Sequence, residues 1–288
     1  LVDIRWNKIY PIVTSIISII VISAAAQSIN AHSLFSIARA ETVTQDYNRI
    51  TEPLDRALEI KPYHPTYALM KINLLNQVYQ QTGEEHFYQE ATKWIDRLSK
   101  KEPYSRQLVE EAYSLYLIDN DLYKAAGLIT TALNHFPWDI SLHERKILLY
   151  FDLGLNARER GDNDEMKEYW QIAIETYENA VQKKVKNDDN FDFHRTRWNF
   201  NRKKPEIILA LAQIHLFEKK YEEASKKLKS IISKDMSNEQ NRVISRWYLA
   251  ALELQGKKDK EILQLLLKED PDEELRIQQI IENHLSYE

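Results

Sequence analysis

The feature that most constrains this chain is a phrase that recurs along it: an apolar run, a charged residue and then proline. It reads ALEIKP ending at Pro62, RLSKKEP at Pro103, TALNHFP at Pro137 and LLLKEDP at Pro271. Proline lacks the N–H and its ring clashes with the preceding turn, so each phrase reads as the end of a helix. Pro103 and Pro137 lie 34 residues apart, and Pro62 and Pro103 lie 41 apart. The longer interval reads as one unit with a lengthened turn around Thr82 to His86. Repetition at such a period means helix pairs that stack, because one hairpin cannot bury both of its apolar faces alone.

A period of 34 residues is that of the tetratricopeptide repeat (TPR), and the internal positions agree. In the unit ending at Pro137, the small residues Ala112, Ala125 and Ala132 fall where paired helices must approach closely, and Tyr116 and Ile129 fall where a bulky side chain fills the groove between them. Ala91, Ile95 and Leu98 are their equivalents one unit earlier, and Ala212, Tyr221, Ala224 and Leu228 recur in PEIILALAQIHLFEKKYEEASKKLKSII. Asp139 to Lys186 reads as an enlarged hairpin interrupted near Gly161, RWYLAALELQGKK opens a final hairpin, and Asp272 to Leu285 reads as a closing helix. Gly83, Gly154, Gly161 and Gly256 lie at or near the expected turns. With 5 Gly and 8 Pro in 288 residues, the chain lacks the glycine that sheet-rich and Rossmann-like folds spend on tight turns and phosphate loops. The sequence therefore predicts an all-α fold: a TPR-like helical-hairpin solenoid over 41–288, with an irregular insertion at 187–204, preceded by a hydrophobic helix within 1–40.

That first segment runs Ile9 to Ala26 without a charge, and only Gln27, Asn30 and His32 interrupt its extension to Phe35. About 20 apolar residues span a bilayer core. Arg5 and Lys8 precede the run, and Trp6 and Tyr10 mark its edge as interfacial anchors do. A transmembrane helix is the reading that length and flanks favour; a cleaved signal peptide ending near Ala24 to Ala26 and a buried soluble helix are the alternatives. The basic pair before the helix places the start in the cytoplasm and the repeats outside a bacterial cytoplasmic membrane. The first residue is Leu1, which reads as a piece of a longer or processed chain.

Several phrases point further. IKPYHPTYALMKINLLNQVYQQT, KKEPYSRQLVEEAYSLY, HFPWDISLHERKI, EYWQIAIETYENAV and SRWYLAALELQGKKD resemble the C-terminal TPR region of bacterial O-antigen ligase and polymerase-like membrane proteins of the Gram-positive type. The resemblance covers nearly the whole chain; 187–204 departs from it. It implies a parent membrane glycosyltransferase whose catalytic loops lie upstream, so no catalytic residue carries over. The role it implies is a non-catalytic interaction module in cell-surface polysaccharide assembly, binding partner proteins on its concave surface or positioning a glycan or lipid-linked glycan. A single-span TPR adaptor of a cell-envelope or secretion complex is the alternative.

The residues themselves offer no active site. Absence of Cys excludes disulfides, thiolate zinc ligands and Cys nucleophiles. His64, His86, His135, His143 and His215 are scattered singly, without the i, i+4 pairing that zinc takes on a helix. Glu84 with Glu85, and Glu110 with Glu111, are adjacent acids that point about 100° apart on a helix and suit solvated faces better than acid–base pairing. No phosphate loop, nucleophile elbow or dinucleotide fingerprint is present, and no cofactor is called for. A net charge of -5 gives no signature of nucleic-acid binding. The least repeat-like stretch, Asn187 to Lys204, carries Arg195, Arg197, Arg202, Lys203 and Lys204 among Phe193, Trp198 and Phe200. Arg195, Arg197, Trp198, Arg202, Lys203 and Lys204 are the candidate ligand-binding set, since cations pair with phosphates or anionic sugars and aromatic faces stack on sugar rings. The bland reading is a loop whose aromatics plug a gap between hairpins while its charges stay in water. Asp188, Asp189, Asp192 and His194 lack the calcium-loop spacing and its glycine, so no metal site is assigned.

Overall fold

The computed structural model describes residues 3–44, 46–187, 201 and 203–285. Among these residues the structure is helical throughout, with thirteen α-helices, one 3-10 turn and no strand. The chain forms two compact units, Leu1–Leu128 and Ile129–Glu288, and each is described by itself.

The first unit contains α1 (Asp3–Glu41), α2 (Tyr47–Ile60), α3 (Pro65–Thr82), α4 (Glu85–Ser99), α5 (Arg106–Ile118) and the start of α6 (Leu122–His135). α1 packs along α2, α3 pairs with α4, and α3 also lies against α5. First helices of successive hairpins thus neighbour one another, as stacked repeats require. Local sequence sets the boundaries. Asp46 accepts from the backbone N–H groups of Asn48 and Arg49 to cap α2, Ser105 accepts from Leu108 N–H to cap α5, and Pro65 takes the first position of α3 where its missing N–H costs nothing. Ala91 and Ala112 are buried with Ile95, Leu98 and Leu115 in one core cluster, which bears out the small positions as points of close approach.

One expectation fails here. The turn between α3 and α4 holds only Gly83 and Glu84, with Gly83 in the left-handed region at φ +68°. The extra length of this unit lies in α3 itself, 18 residues against 13 in α5. Nothing between Pro65 and Thr82 breaks a helix, so the segment continues helical until the glycine stops it.

α1 does two things along its 39 residues. From Val13 to Ile29 its large aliphatic side chains stand exposed, Ile22 at 67% and Ile29 at 72%. From Ala31 onward the same helix enters the core: Ala31, Phe35 and Ala38 are buried with Ile50, Leu54 and Tyr67, and the Phe35 and Tyr67 rings stack 4.6 Å apart. The apolar segment therefore runs without a break into the first hairpin.

The second unit contains the rest of α6, α7 (Ile140–Glu159), α8 (Asn163–Asn187), α9 (Pro205–Phe217), α10 (Tyr221–Lys229), α11 (Glu239–Glu253), α12 (Lys260–Glu269) and α13 (Glu273–Leu285). The enlarged hairpin is α7 with α8, turning at Gly161 (φ +77°). The last hairpin is α11 with α12, and α13 closes on α11. Pro62, Pro103, Pro137 and Pro271 all fall just beyond helix ends, so the recurring phrase marks what it was read to mark. Gly154 does not behave as expected. It sits inside α7, and a Cβ there would lie 2.1 Å from Nε1 of Trp170. The glycine lets α8 approach closely enough to bury the whole indole, which donates to the Phe151 carbonyl at 3.3 Å and stacks on Phe217.

Polar contacts between hairpins record the repeat directly. Tyr79 reaches Asp119 and Lys124 reaches Tyr88 at separations of 40 and 36 residues, and Gln240 reaches Glu206 at 34. Each is a bond from one repeat to the next.

Candidate functional site

Two regions qualify, and the structure treats them differently. Of the basic and aromatic set singled out in the sequence, Arg195, Arg197, Trp198 and Arg202 lie outside the described residues, as do Asp188, Asp189, Asp192 and His194. Lys203 is exposed and its backbone N–H donates to the Asn201 side chain at 3.0 Å. Lys204 precedes α9, and its ammonium reaches Glu144 of α7 at 2.6 Å, with the carboxylate largely buried. That charge ties the end of the segment to the enlarged hairpin.

The second region is a groove in the first unit. It holds about 490 Å³ and is lined from α2 and α3, with Tyr47, Met70, Asn73, Gln77 and Gln81 among its residues. The helical period puts Asn73, Gln77 and Gln81 on one face of α3, each four residues from the next. Their groups form a directed chain. Gln77 donates to Asn73 Oδ1 at 2.9 Å, and Asn73 donates to both carboxylate oxygens of Glu111 on α5 at 3.1 and 3.2 Å. Asn76, one turn along and 4% exposed, donates to the Glu111 backbone carbonyl at 3.0 Å and more distantly to its carboxylate at 3.4 Å.

Glu111 is the electrostatic focus of this face. Burial pushes its carboxyl above the usual value, the amide donors of Asn73 and Asn76 oppose that rise, and neighbouring Glu110 adds to it. Several other acids of the unit have cations: Asp55 and Glu90 share Lys71, Glu110 pairs with Arg106, and Asp121 pairs with Lys124. Glu111 has none among the described residues, and its partners are neutral amides. Asn76 Oδ1 beside it is buried with no hydrogen-bond partner. Such a cluster of half-buried acceptors suits reversible capture of a donor-rich group.

Sequence reading missed this site. As a sequence, Glu110 and Glu111 read together as acids of a solvated face, and the polar residues of 65–82 carry no assigned role. Two signals were there to use: amides at 73, 76, 77, 80 and 81, and an acid 38 residues beyond Asn73, about one repeat along. Contacts between first helices fall at that spacing.

No family model and no curated protein matches the sequence. Among solved structures, the chain is similar to one described as a functional characterisation of Pseudomonas aeruginosa pilF, with 14% identity over 91% of this chain and 96% of that one and a TM-score of 0.48. It is similar to a human IFIT1 dimer with m7Gppp-AAAA, with 20% identity over 83% of this chain and 49% of that one and a TM-score of 0.47. It is also similar to a tetratricopeptide repeat protein from Parabacteroides merdae, with 17% identity over 79% of this chain and 99% of that one and a TM-score of 0.37. At such scores the fold rests on this chain's own paired helices, their small-residue contacts and their one-repeat hydrogen bonds: they are TPR-like hairpins.

Proposed function

We propose that this chain is a membrane-tethered protein-interaction module, with α1 as the tether and the first-helix faces of its hairpins as the binding surface. The observation that carries the reading is α1, whose exposed aliphatic run from Val13 to Ile29 continues unbroken into the buried Ala31, Phe35 and Ala38. Val13–Glu41 is long and apolar enough to cross a bilayer. A soluble chain has little use for such a stretch left bare, whereas lipid covers it at no cost. The grooved face supports the second half of the reading: stacked hairpins that leave polar first-helix side chains open suit an extended partner.

The phrases that resemble the TPR region of O-antigen ligase and polymerase-like proteins favour work in cell-surface polysaccharide assembly, on the outer side of the bacterial membrane. The basic and aromatic segment ending at Lys204 is then the surface for an anionic or lipid-linked glycan. A single-span adaptor of an envelope or secretion complex is the rival, and it differs in needing no glycan contact.

Flotation of the full chain with liposomes tests the tether. Replacing Ile19, Ile20 and Val21 by Arg costs about 2.5–3.5 kcal/mol per residue at a span centre and should leave the protein in the soluble fraction. Continued flotation after an alkaline wash would reject α1 as a span. Capture of purified envelope polysaccharide, lost when Arg195, Arg197 and Trp198 become Ala, is the result expected of the glycan reading. Protein capture with no polysaccharide bound favours the adaptor.

A further inference from the structure

We propose that the Asn73–Asn76–Glu111 cluster of the first unit is a binding site for a basic side chain, Lys or Arg, of an extended protein segment lying along α3 and α5. The inference rests on the interaction-module reading above and names the chemistry of the partner.

Glu111 presents two carboxylate oxygens, held by two neutral amide groups from Asn73 and Asn76. Asn76, 4% exposed, adds an amide oxygen that no described group meets. Burying a carboxylate among neutral donors leaves its charge uncompensated, and a buried acceptor without a donor carries a further penalty. Both costs fall when a cation with several N–H groups arrives. An ammonium carries three donors and a guanidinium five, enough to add a charged contact to the two carboxylate oxygens that only neutral amides now meet.

The direction of the amide chain points the same way. Gln77 donates to Asn73 and Asn73 donates to Glu111, so the N–H groups of this row run toward the carboxylate. An acidic ligand would meet oxygen against oxygen. Access is graded: Gln77 and Asn73 are exposed and line the groove, Glu111 is half-buried and Asn76 is buried. Glu111 lies outside the groove's lining, beside the exposed Asn73, where a long side chain lying over α3 and α5 would meet it. The adjacent acid, Glu110, is already matched by Arg106, so at this point on α5 the unpaired carboxylate is that of Glu111.

The test uses the full chain in detergent micelles and labelled decapeptides of Gly, Ser and Ala with one central residue, Lys, Arg, Gln or Glu. Fluorescence anisotropy at pH 7.5 should show the Lys and Arg peptides binding about tenfold more tightly than the Gln peptide, the value of one charge-assisted hydrogen bond. Glu111→Gln should erase the preference, and Glu111→Lys should transfer it to the Glu peptide; unchanged helical circular dichroism qualifies both variants. A control change at an acid of the second unit, Glu274→Gln, should leave it intact. Equal binding of all four peptides, or a preference that survives Glu111→Gln, overturns the proposal. In the second case the module still binds proteins and only the assignment of Glu111 fails. Absence of binding by every peptide overturns the proposal and counts against the groove as the binding face, while flotation of the chain still tests the tether separately.

Discussion

Two glutamates, one in each unit, show how differently the same side chain can be used in a stack of hairpins. Glu273, the first residue of α13, is fully buried. Its carboxylate is met by Arg246 through both Nε and Nη2, the latter at 2.6 Å, and by Arg276 at 3.3 Å. Glu111 on α5 is half-buried and is met by two amides. The first has its counter-charge built in, with a two-pronged guanidinium contact that satisfies both oxygens. It fastens the closing helix to the last hairpin. The second is held in place but not neutralised. A buried carboxylate whose cation comes from its own chain is structural; one held by neutral donors on an open face is available to something else.

The largest effect expected from breaking this comparison is at Glu273. Glu273→Gln keeps the shape and removes the charge, leaving Arg246 buried with one remaining acid, Glu239, at 3.1 Å. Loss of one partner of a buried pair costs about 3 kcal/mol or somewhat more. Thermal unfolding should show a marked drop, and hydrogen exchange should place the loss in the amides of α11 and α13. Replacing both partners together, Arg246→Met with Glu273→Leu, should restore most of the stability, because no charge is then stranded. If the single variant is as stable as the parent, the arginines are not neutralising Glu273 and the contrast collapses.

Much of this architecture was legible in the sequence, for a physical reason. Helix pairs that stack at a fixed period must repeat their small residues and their stops at that period, so Ala91, Ala112 and Ala224 and the prolines at 62, 103, 137 and 271 could be read directly. Gly154 was misread because a glycine that ends a helix and one that admits a neighbour's indole look alike in sequence; only the position of Trp170 on the next helix separates them. The added length of the unit containing α3 was misplaced into a turn because a helix without breakers carries no mark of where it will stop. Glu111 was illegible for a different reason. Its meaning lies in the absence of a counter-charge, and a sequence holding 39 basic residues does not say which acid goes without. That needs the neighbouring first helix, where Asn73 and Asn76 stand in place of a Lys or Arg.

An intermediate effect sharpens the view that polar bonds between repeats hold the first unit's stack. The Tyr79 hydroxyl donates to Asp119 at 2.6 Å, and that bond is the chief reason its ionisation is pushed up to about 12. Tyr79→Phe removes the bond while keeping the ring packed. A hydrogen bond to a charged acceptor contributes about 1.5–3 kcal/mol, and Asp119 is partly open to water, so the expected cost is near the lower figure, about 1.5 kcal/mol. Urea unfolding of the full chain measures it. A cost below a few tenths of a kcal/mol would mean that apolar packing alone sets the register of adjacent hairpins here.

The smallest effect is the most discriminating, because its sign opposes the one at Glu273. Burial raises the Glu111 carboxyl above its usual 4.5, so the folded chain takes up this proton more readily than the unfolded one. Linkage then gives the sign: the contribution of this group to stability is fully present below about 4.5 and is lost as pH rises through the higher folded value. At neutral pH the ionised group is therefore a mild burden on the fold. Glu111→Gln fixes a neutral side chain that can still accept from Asn73, and it should leave stability unchanged or raised by up to about 0.5 kcal/mol at pH 7. The gap between parent and variant should close as the pH falls toward 4.5. Urea midpoints of both proteins at the two pH values are enough to decide. A variant less stable than the parent at neutral pH would mean that Glu111 has an attractive partner within the chain and belongs with Glu273. A variant at least as stable, with the gap closing in acid, leaves Glu111 as a charge that the fold tolerates rather than uses.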